Sequence, residues 1–409
     1  MPAVVVIGCQ WGDEGKGKIV DLLAERASMV VRYQGGSNAG HTVVVGGRVI
    51  KLHQVPSGVI HGGVRSVLGN GMVIHPPSLI EELDGLQAAG YDISLLAISG
   101  NAHLVMPYHR LLDGLEEERR GVGALGTTRR GIGPAYTDKI QRTGVRLEAI
   151  VNGTFLEHFK QQAKLYEQYA QNLYKEPFLN IEQAVEELKE AETYIRPFIG
   201  DTVELIHSYL DKKANILYEG AQGTMLDVDH GTYPFVTSSS TTIGGAFTGG
   251  GVFLQFDRRI GLVKAYTTRV GEGPFPTELN DEIGEKLREK GHEFGATTGR
   301  PRRCGWLDLK LVKRAAVING FNYISLSKLS CLSGFENIKV AVDYDSSGKP
   351  VYQTFAGWQE EIEGVTDWQD LPENARHYVQ FIEDYLQVPI GLVSTGPDRN
   401  HAIFRQPLW

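Results

Sequence analysis

"AVVVIGCQWGDEGKGKIVDLLAER", residues 3–26, runs from an apolar, β-branched stretch into a glycine loop and on into a segment of helical period. Strand, glycine turn and helix in that order form the repeating unit of a mostly parallel α/β sheet. "MVVRYQG" (29–35), "ANILYEG" (214–220), "IGLVKAY" (260–266), "NYISLSKL" (322–329) and "PIGLVSTG" (389–396) repeat the first half of the unit, each an apolar run ending in a glycine or polar loop. The expected fold is therefore α/β: a mostly parallel central sheet with a P-loop-like phosphate-binding loop and helical insertions. In such sheets ligands gather at the loops after the carboxyl ends of the strands. Residues 151–213 read differently. Phe159, Tyr166, Ala170 and Leu173 recur at helical spacing among Lys, Glu and Gln, which predicts a helical insertion packed on the sheet. No repeat, low-complexity tract or long linker interrupts the chain, so one domain over 1–409 is expected, with 151–213 inserted in it.

Bulk composition narrows the function. The 409 residues are 42% hydrophobic, enough for a large core. No window approaches the ~20 apolar residues of a membrane span, and "MPAVVVIG" lacks the basic start and cleavage site of a secretory signal, so no membrane partner and a cytoplasmic location are expected. Cys9, Cys304 and Cys331 make no C-x-x-C pair, which argues against a structural zinc site and suits a reducing compartment. A net charge of −8 disfavours a nucleic-acid surface.

The glycine loop departs from a standard P-loop. Counting back from Gly15-Lys16 puts Gln10 where the first glycine belongs and Gly17 where the hydroxyl belongs. Glycines at 8, 12, 15 and 17 still lead into a helix whose N-terminal amides and lysines attract phosphate. A carboxylate here repels phosphate unless a cation lies between them or it has a proton to remove. Asp13 thus reads as a magnesium ligand, a general base or both; the plainer alternative is that Asp13 or Glu14 caps the helix. The next loop, "YQGGSNAGHT" (33–42), sets Asn38 and His41 among glycines that let backbone approach a ligand closely. A histidine facing a phosphate can donate charge and a proton to an oxygen being phosphorylated.

"QWGDEGKGKIVD" with "QGGSNAGHT" resembles the adenylosuccinate synthetase family. The likeness continues through "GTTRRGIGPAYTDK" (126–139), "YEGAQGTMLDVDHGTYPFVTSS" (218–239), "KAYTTRVGEGPFPTEL" (264–279), "EFGATTGRPRRCGWLD" (293–308) and "STGPDR" (394–399). The resemblance implies a magnesium-dependent ligase that turns IMP, L-aspartate and GTP into adenylosuccinate, GDP and phosphate through 6-phosphoryl-IMP. It also implies a homodimer in which Arg142 is lent to the partner's site. Asp13 matches the base that removes the N1 proton of IMP and a magnesium ligand, with the Gly40 carbonyl as second protein ligand. His41 matches the acid that steadies the moving phosphoryl group, and Lys16 and Gln222 complete the catalytic set. Gly12, Gly15, Lys16, Gly17, Lys18, Gly40, His41, Thr42, Arg302, Lys328, Ser330, Ser394, Thr395 and Gly396 match the GTP site. Asp13, Asn38, Thr128, Arg142, Gln222, Thr237 and Arg300 match the IMP site. Ala296, Thr297, Thr298, Gly299, Arg300 and Arg302 match the aspartate loop.

Three positions depart from the family. Ser330 stands where an aspartate is expected to read the guanine edge, which opens the alternative of ATP as donor. Arg129 stands where glycine is usual beside the IMP phosphate, and Pro301 replaces an arginine. Two further alternatives are the same chemistry on a 2-aminopurine nucleotide, against which the retained Asp13 argues, and a non-catalytic nucleotide-binding protein, against which Asp13 and His41 together argue.

Overall fold

A computed structural model describes residues 3–45, 48–294 and 301–409. The opening apolar run forms the strand Ala3–Gly8, buried along its whole length. It lies inside a ten-stranded sheet with the order Ala402–Phe404, Ile390–Ser394, Tyr323–Ser327, Arg258–Lys264, Ala3–Gly8, Ile216–Glu219, Met29–Arg32, Arg65–Leu68, Leu96–Ser99, Ile199–Gly200. Neighbours pair in parallel except at one edge, where Ala402–Phe404 runs antiparallel to Ile390–Ser394. Continuous apolar strands are what a sheet covered on both faces requires. The two-residue period divides the first strand: Val4 and Val6 pack with Ile19, Val20 and Leu23 of the first helix, while Val5 and Ile7 enter the larger core on the other face. Each of the six strand runs named from the sequence lies in this sheet.

Within 151–213 the chain forms the helices Phe155–Tyr169, Ile181–Ile195 and Thr202–Asp211, and also the short edge strand Ile199–Gly200. The first two share a core with the helix Pro76–Ala88 through Phe159, Leu188 and Leu83. Phe159, Tyr166 and Ala170 are buried, but Leu173 is 61% exposed. The α-helix ends at Tyr169 and the chain continues as a π-turn over Ala170–Tyr174. The wider turn carries Leu173 off the apolar stripe.

Because the strands run in parallel, the loops after Ala3–Gly8, Met29–Arg32, Ile216–Glu219, Arg258–Lys264, Tyr323–Ser327 and Ile390–Ser394 all leave from the same edge. The sharpest sequence motifs follow these strands.

Candidate active site

The first loop is held by the residues that distinguish it from a P-loop. Gln10 donates to the Tyr266 carbonyl at 3.0 Å and to Thr267 Oγ1 at 3.2 Å, and its Oε1 accepts from the Lys264 amide at 2.8 Å. A side chain at this position therefore ties the loop to the end of the neighbouring strand. Gly17 is required by packing, since a Cβ there would lie 2.4 Å from the Thr42 carbonyl oxygen. The first helix and the second glycine loop thus touch backbone to backbone.

The acidic pair divides its work. Glu14 is fully buried and turns back into the loop, where Oε1 accepts from the amides of Gln10 and Gly12, both at 3.0 Å. Its Oε2 accepts from Lys16 Nζ at 2.6 Å. Asp13, at φ 60° between Gly12 and Glu14, points outward with a side chain 36% exposed. Its carboxylate lies 2.6 Å from Arg302 Nε, an ion pair without hydrogen-bond alignment. Neither acid caps the helix through its side chain: the cap residue is Gly15, in the left-handed conformation. Lys16 is folded inward onto Glu14 and the Gln222 carbonyl.

The second loop places His41 at the start of the strand His41–Val45, paired antiparallel with Arg48–Leu52. The buried imidazole meets the carboxylate of Glu219 through Nδ1. A carboxylate only accepts, so Nδ1 carries the proton and Nε2 presents a lone pair. Burial holds the imidazole below its ordinary pKa, against the pull of Glu219. Burial would raise Glu219, but the facing His41 and Arg32 hold it below the usual carboxylate range. The Ser57 amide (2.9 Å) and hydroxyl (3.2 Å) complete the carboxylate's shell.

His41 Nε2, Asn38 Oδ1 and Gln222 Oε1 are each buried without a hydrogen-bond partner among the described residues. Gln222, at φ 57°, lies against the second loop, where a Cβ on Gly35 would sit 3.4 Å from its Oε1. Buried polar atoms ordinarily find partners. Three unsatisfied ones, two on the second glycine loop and one on the adjoining 220–223 turn, make this the candidate place for a polar ligand.

Other candidate positions take varied places. Lys18 donates to Ser394 Oγ (2.7 Å) and to the carbonyls of Gly396 (2.8 Å) and His401 (2.9 Å), which anchors the "STGPDR" loop to the first helix. Burial pushes this lysine down to about 8. Thr395 donates to the Val365 carbonyl at 2.8 Å. Ser327 Oγ donates to the Glu14 carbonyl at 2.7 Å, so the segment holding Lys328 and the half-buried Ser330 abuts the first loop. The Lys328 amine is engaged by Glu293 at 2.7 Å and the Gly291 carbonyl at 2.6 Å. Thr128 is exposed and Thr237 half-buried. Arg129 keeps φ 52° and pairs at 3.1 Å with Glu118. Arg142 ends the helix Ile132–Gln141 and is exposed, lining a cleft of about 350 Å³ with Lys139, Arg146 and His103. Pro301 is exposed. Ala296, Thr297, Thr298, Gly299 and Arg300 lie outside the described residues.

Sequence reasoning missed Glu219, the buried roles of Glu14 and the anchoring by Gln10. The signal for Glu219 was present: it is the last residue of a strand and precedes Gly220 in "YEGAQGT". Its partner, however, is 178 positions away.

A family model described as adenylosuccinate synthetase matches residues 5–403. Adenylosuccinate synthetases of Halothermothrix orenii and Moorella thermoacetica are each 48% identical to the chain, covering 98% of it and 98% and 99% of their own lengths. The solved structure of fully ligated adenylosuccinate synthetase from Plasmodium falciparum superposes with a TM-score of 0.92 at 40% identity, covering 98% of this chain and 99% of that one. A cyanophage S-2L succinoaminodeoxyadenylate synthetase, 20% identical with a TM-score of 0.64, shares the fold. With its altered phosphate loop, its His41–Glu219 pair and a match along almost its whole length, the chain belongs to the adenylosuccinate synthetase family, ligases that form a carbon–nitrogen bond in purine biosynthesis.

Proposed function

We propose that the chain joins L-aspartate to IMP at the expense of GTP, by way of 6-phosphoryl-IMP. The observation that carries this reading is the outward carboxylate of Asp13 on the same sheet edge as a buried imidazole fixed by Glu219, with Asn38 Oδ1 and Gln222 Oε1 unpartnered among the described residues. The 6-oxo group of a hypoxanthine is a poor leaving group until it is phosphorylated. Asp13 takes the proton from N1, which makes O6 nucleophilic. O6 attacks the γ-phosphorus of GTP and the bond to the bridging oxygen breaks, releasing GDP. The amine of aspartate then adds at C6, loses a proton and expels the phosphate. His41, neutral at rest, gains a proton as the phosphate oxygens come near, because their charge offsets the burial that lowers its pKa. Its Nε2–H then donates to the moving group.

The donor set suits magnesium. Among the described residues no cluster of three or more His, Cys, Asp or Glu side chains could cage a metal. Glu14 is spent inside the loop, which leaves Asp13 and the exposed Gly40 backbone as oxygen donors. Magnesium is commonly held by one or two carboxylates plus substrate phosphates. When bound it neutralises charge on those phosphates. Arg302 must then exchange its partner Asp13 for substrate, and Lys16 must leave Glu14 to meet a phosphate. Thr128 and Thr237 would hold the IMP phosphate, Asn38 and, across the interface of a homodimer, Arg142 of the partner subunit would also contact IMP, and Arg300 with the 296–302 loop would hold the aspartate. A cytoplasmic setting belongs to the same proposal and accords with the unpaired Cys9, Cys304 and Cys331.

Isotope transfer tests the route. IMP carrying ¹⁸O at C6 must deliver that oxygen to the released phosphate, whereas phosphate of natural mass in a productive reaction would refute a 6-phosphoryl intermediate.

A further inference from the structure

Arg32 is the last residue of the strand Met29–Arg32, and its register partner on the neighbouring parallel strand is Glu219. Register partners project from the same face of a sheet. The arginine is wholly buried. It donates to the Gly36 carbonyl at 3.4 Å through Nη2, while Nε and Nη1 have no hydrogen-bond partner among the described residues. Its charge is therefore not consumed by one carboxylate.

Two carboxylates, the buried Glu219 and the half-buried Glu82, lie in its field, and each pins one foot of the antiparallel pair His41–Val45 and Arg48–Leu52. Glu219 holds His41 at one foot and Ser57 just beyond the other. Glu82, from the helix Pro76–Ala88, accepts the amides of His53 (2.7 Å), Gln54 (2.9 Å) and Val55 (3.2 Å). Burial works to raise Glu82; the amides of Gln54 and His53 oppose it first, and the charge of Arg32 adds to them. His53 in turn donates from Nδ1 to the Ala39 carbonyl at 2.9 Å, closing the second glycine loop onto the same foot.

We infer that Arg32 is a positioning residue, the shared counter-ion of Glu219 and Glu82, which fixes both feet of the strand pair and through them the site of His41. Its bearing on phosphoryl transfer rests on the function proposed above; its hold on the strand pair does not. An uncompensated buried carboxylate is unstable, so without Arg32 one of the two must take a proton or move. The amides it holds then open.

The test compares Arg32→Met, Arg32→Lys and the charge-balanced Arg32→Met/Glu82→Gln in the full-length chain. Hydrogen–deuterium exchange of peptides covering 53–57 is expected to quicken at least tenfold in Arg32→Met, with exchange along residues 4–7 unchanged. In Arg32→Met kcat is expected to fall at least tenfold with KM for GTP within threefold, and Arg32→Lys should restore most of both properties. If Arg32→Met fails to fold, the double variant is read at Ser57, where faster exchange supports the inference. Wild-type exchange at 53–57 in a folded charge-removing variant overturns it. Should the wild-type chain show no ligase activity, the proposed function fails while the exchange result still decides the role of Arg32.

Discussion

The imidazole of His41 is joined through Nδ1 to Glu219, a residue on a different strand, and its Nε2 is buried with no partner among the described residues. This fixes both the tautomer and the aim of the ring before any substrate arrives. Positioned general acids contribute about 10²–10⁴ in rate.

Glu219→Gln is therefore expected to lower kcat by about two to four orders of magnitude, since an amide can present its N–H to Nδ1 and favour the wrong tautomer. Binding of IMP, followed by calorimetry, should change little. A variant with kcat within threefold of the wild type would show that the pair is structural.

The two acids of the first loop should part company under substitution. Asp13→Asn is expected to abolish turnover and leave the thermal midpoint within about 2 °C, because the side chain is exposed and, among the described residues, its ion pair is with Arg302. Glu14→Gln should instead destabilise by about 3–5 kcal/mol, since it leaves the buried amine of Lys16 without its counter-charge. Chemical denaturation of both variants checks this, and equal stabilities would contradict the division of roles.

Gly17→Ala is a steric test. The added methyl would lie 2.4 Å from the Thr42 carbonyl oxygen, a backbone atom that cannot rotate away. The helix and the second loop must separate, and kcat is expected to fall by at least tenfold with the overall circular-dichroism spectrum unchanged. Full activity would show that the two loops need not touch.

Acid stability should fall in a defined window. Burial beside Arg110 and Arg130 pushes His75 down to about 4, and burial beside Lys139 and Arg146 does the same to His103. Between about pH 6.5, the ordinary histidine value, and about pH 4, the unfolded chain takes up protons that the native chain refuses. Stability therefore drops as pH falls through that range, with a limiting slope of about 1.4 kcal/mol per pH unit for each histidine. His103→Asn should flatten the dependence measured by urea titration, and an unchanged slope would assign the acid limb to other groups.

Much of this was legible before the structure. Valines 4 to 6 running into a glycine loop announce a central strand, because burial on both faces leaves no alternation to obscure the run. The glycine spacing announces phosphate, and the family blocks name the chemistry. What the sequence hid was long-range. Nothing local tells Glu14 from Asp13, since two adjacent acids differ only in which one the backbone turns inward, and the left-handed φ at Gly12, Asp13 and Gly15 decides that. Leu173 looked like core because periodicity was extended across a π-turn that the pattern does not reveal. Lys18 reads as a phosphate ligand by its place in the loop, yet its three contacts lie in a segment about 380 positions later.

The most direct test of the whole account is phosphate release by the purified chain with IMP, L-aspartate, magnesium and GTP, with the nucleotide product identified by mass and each component omitted in turn. The account predicts one phosphate per adenylosuccinate formed and none when IMP or aspartate is left out. Phosphate released without adenylosuccinate, or no reaction with the complete mixture, would contradict it.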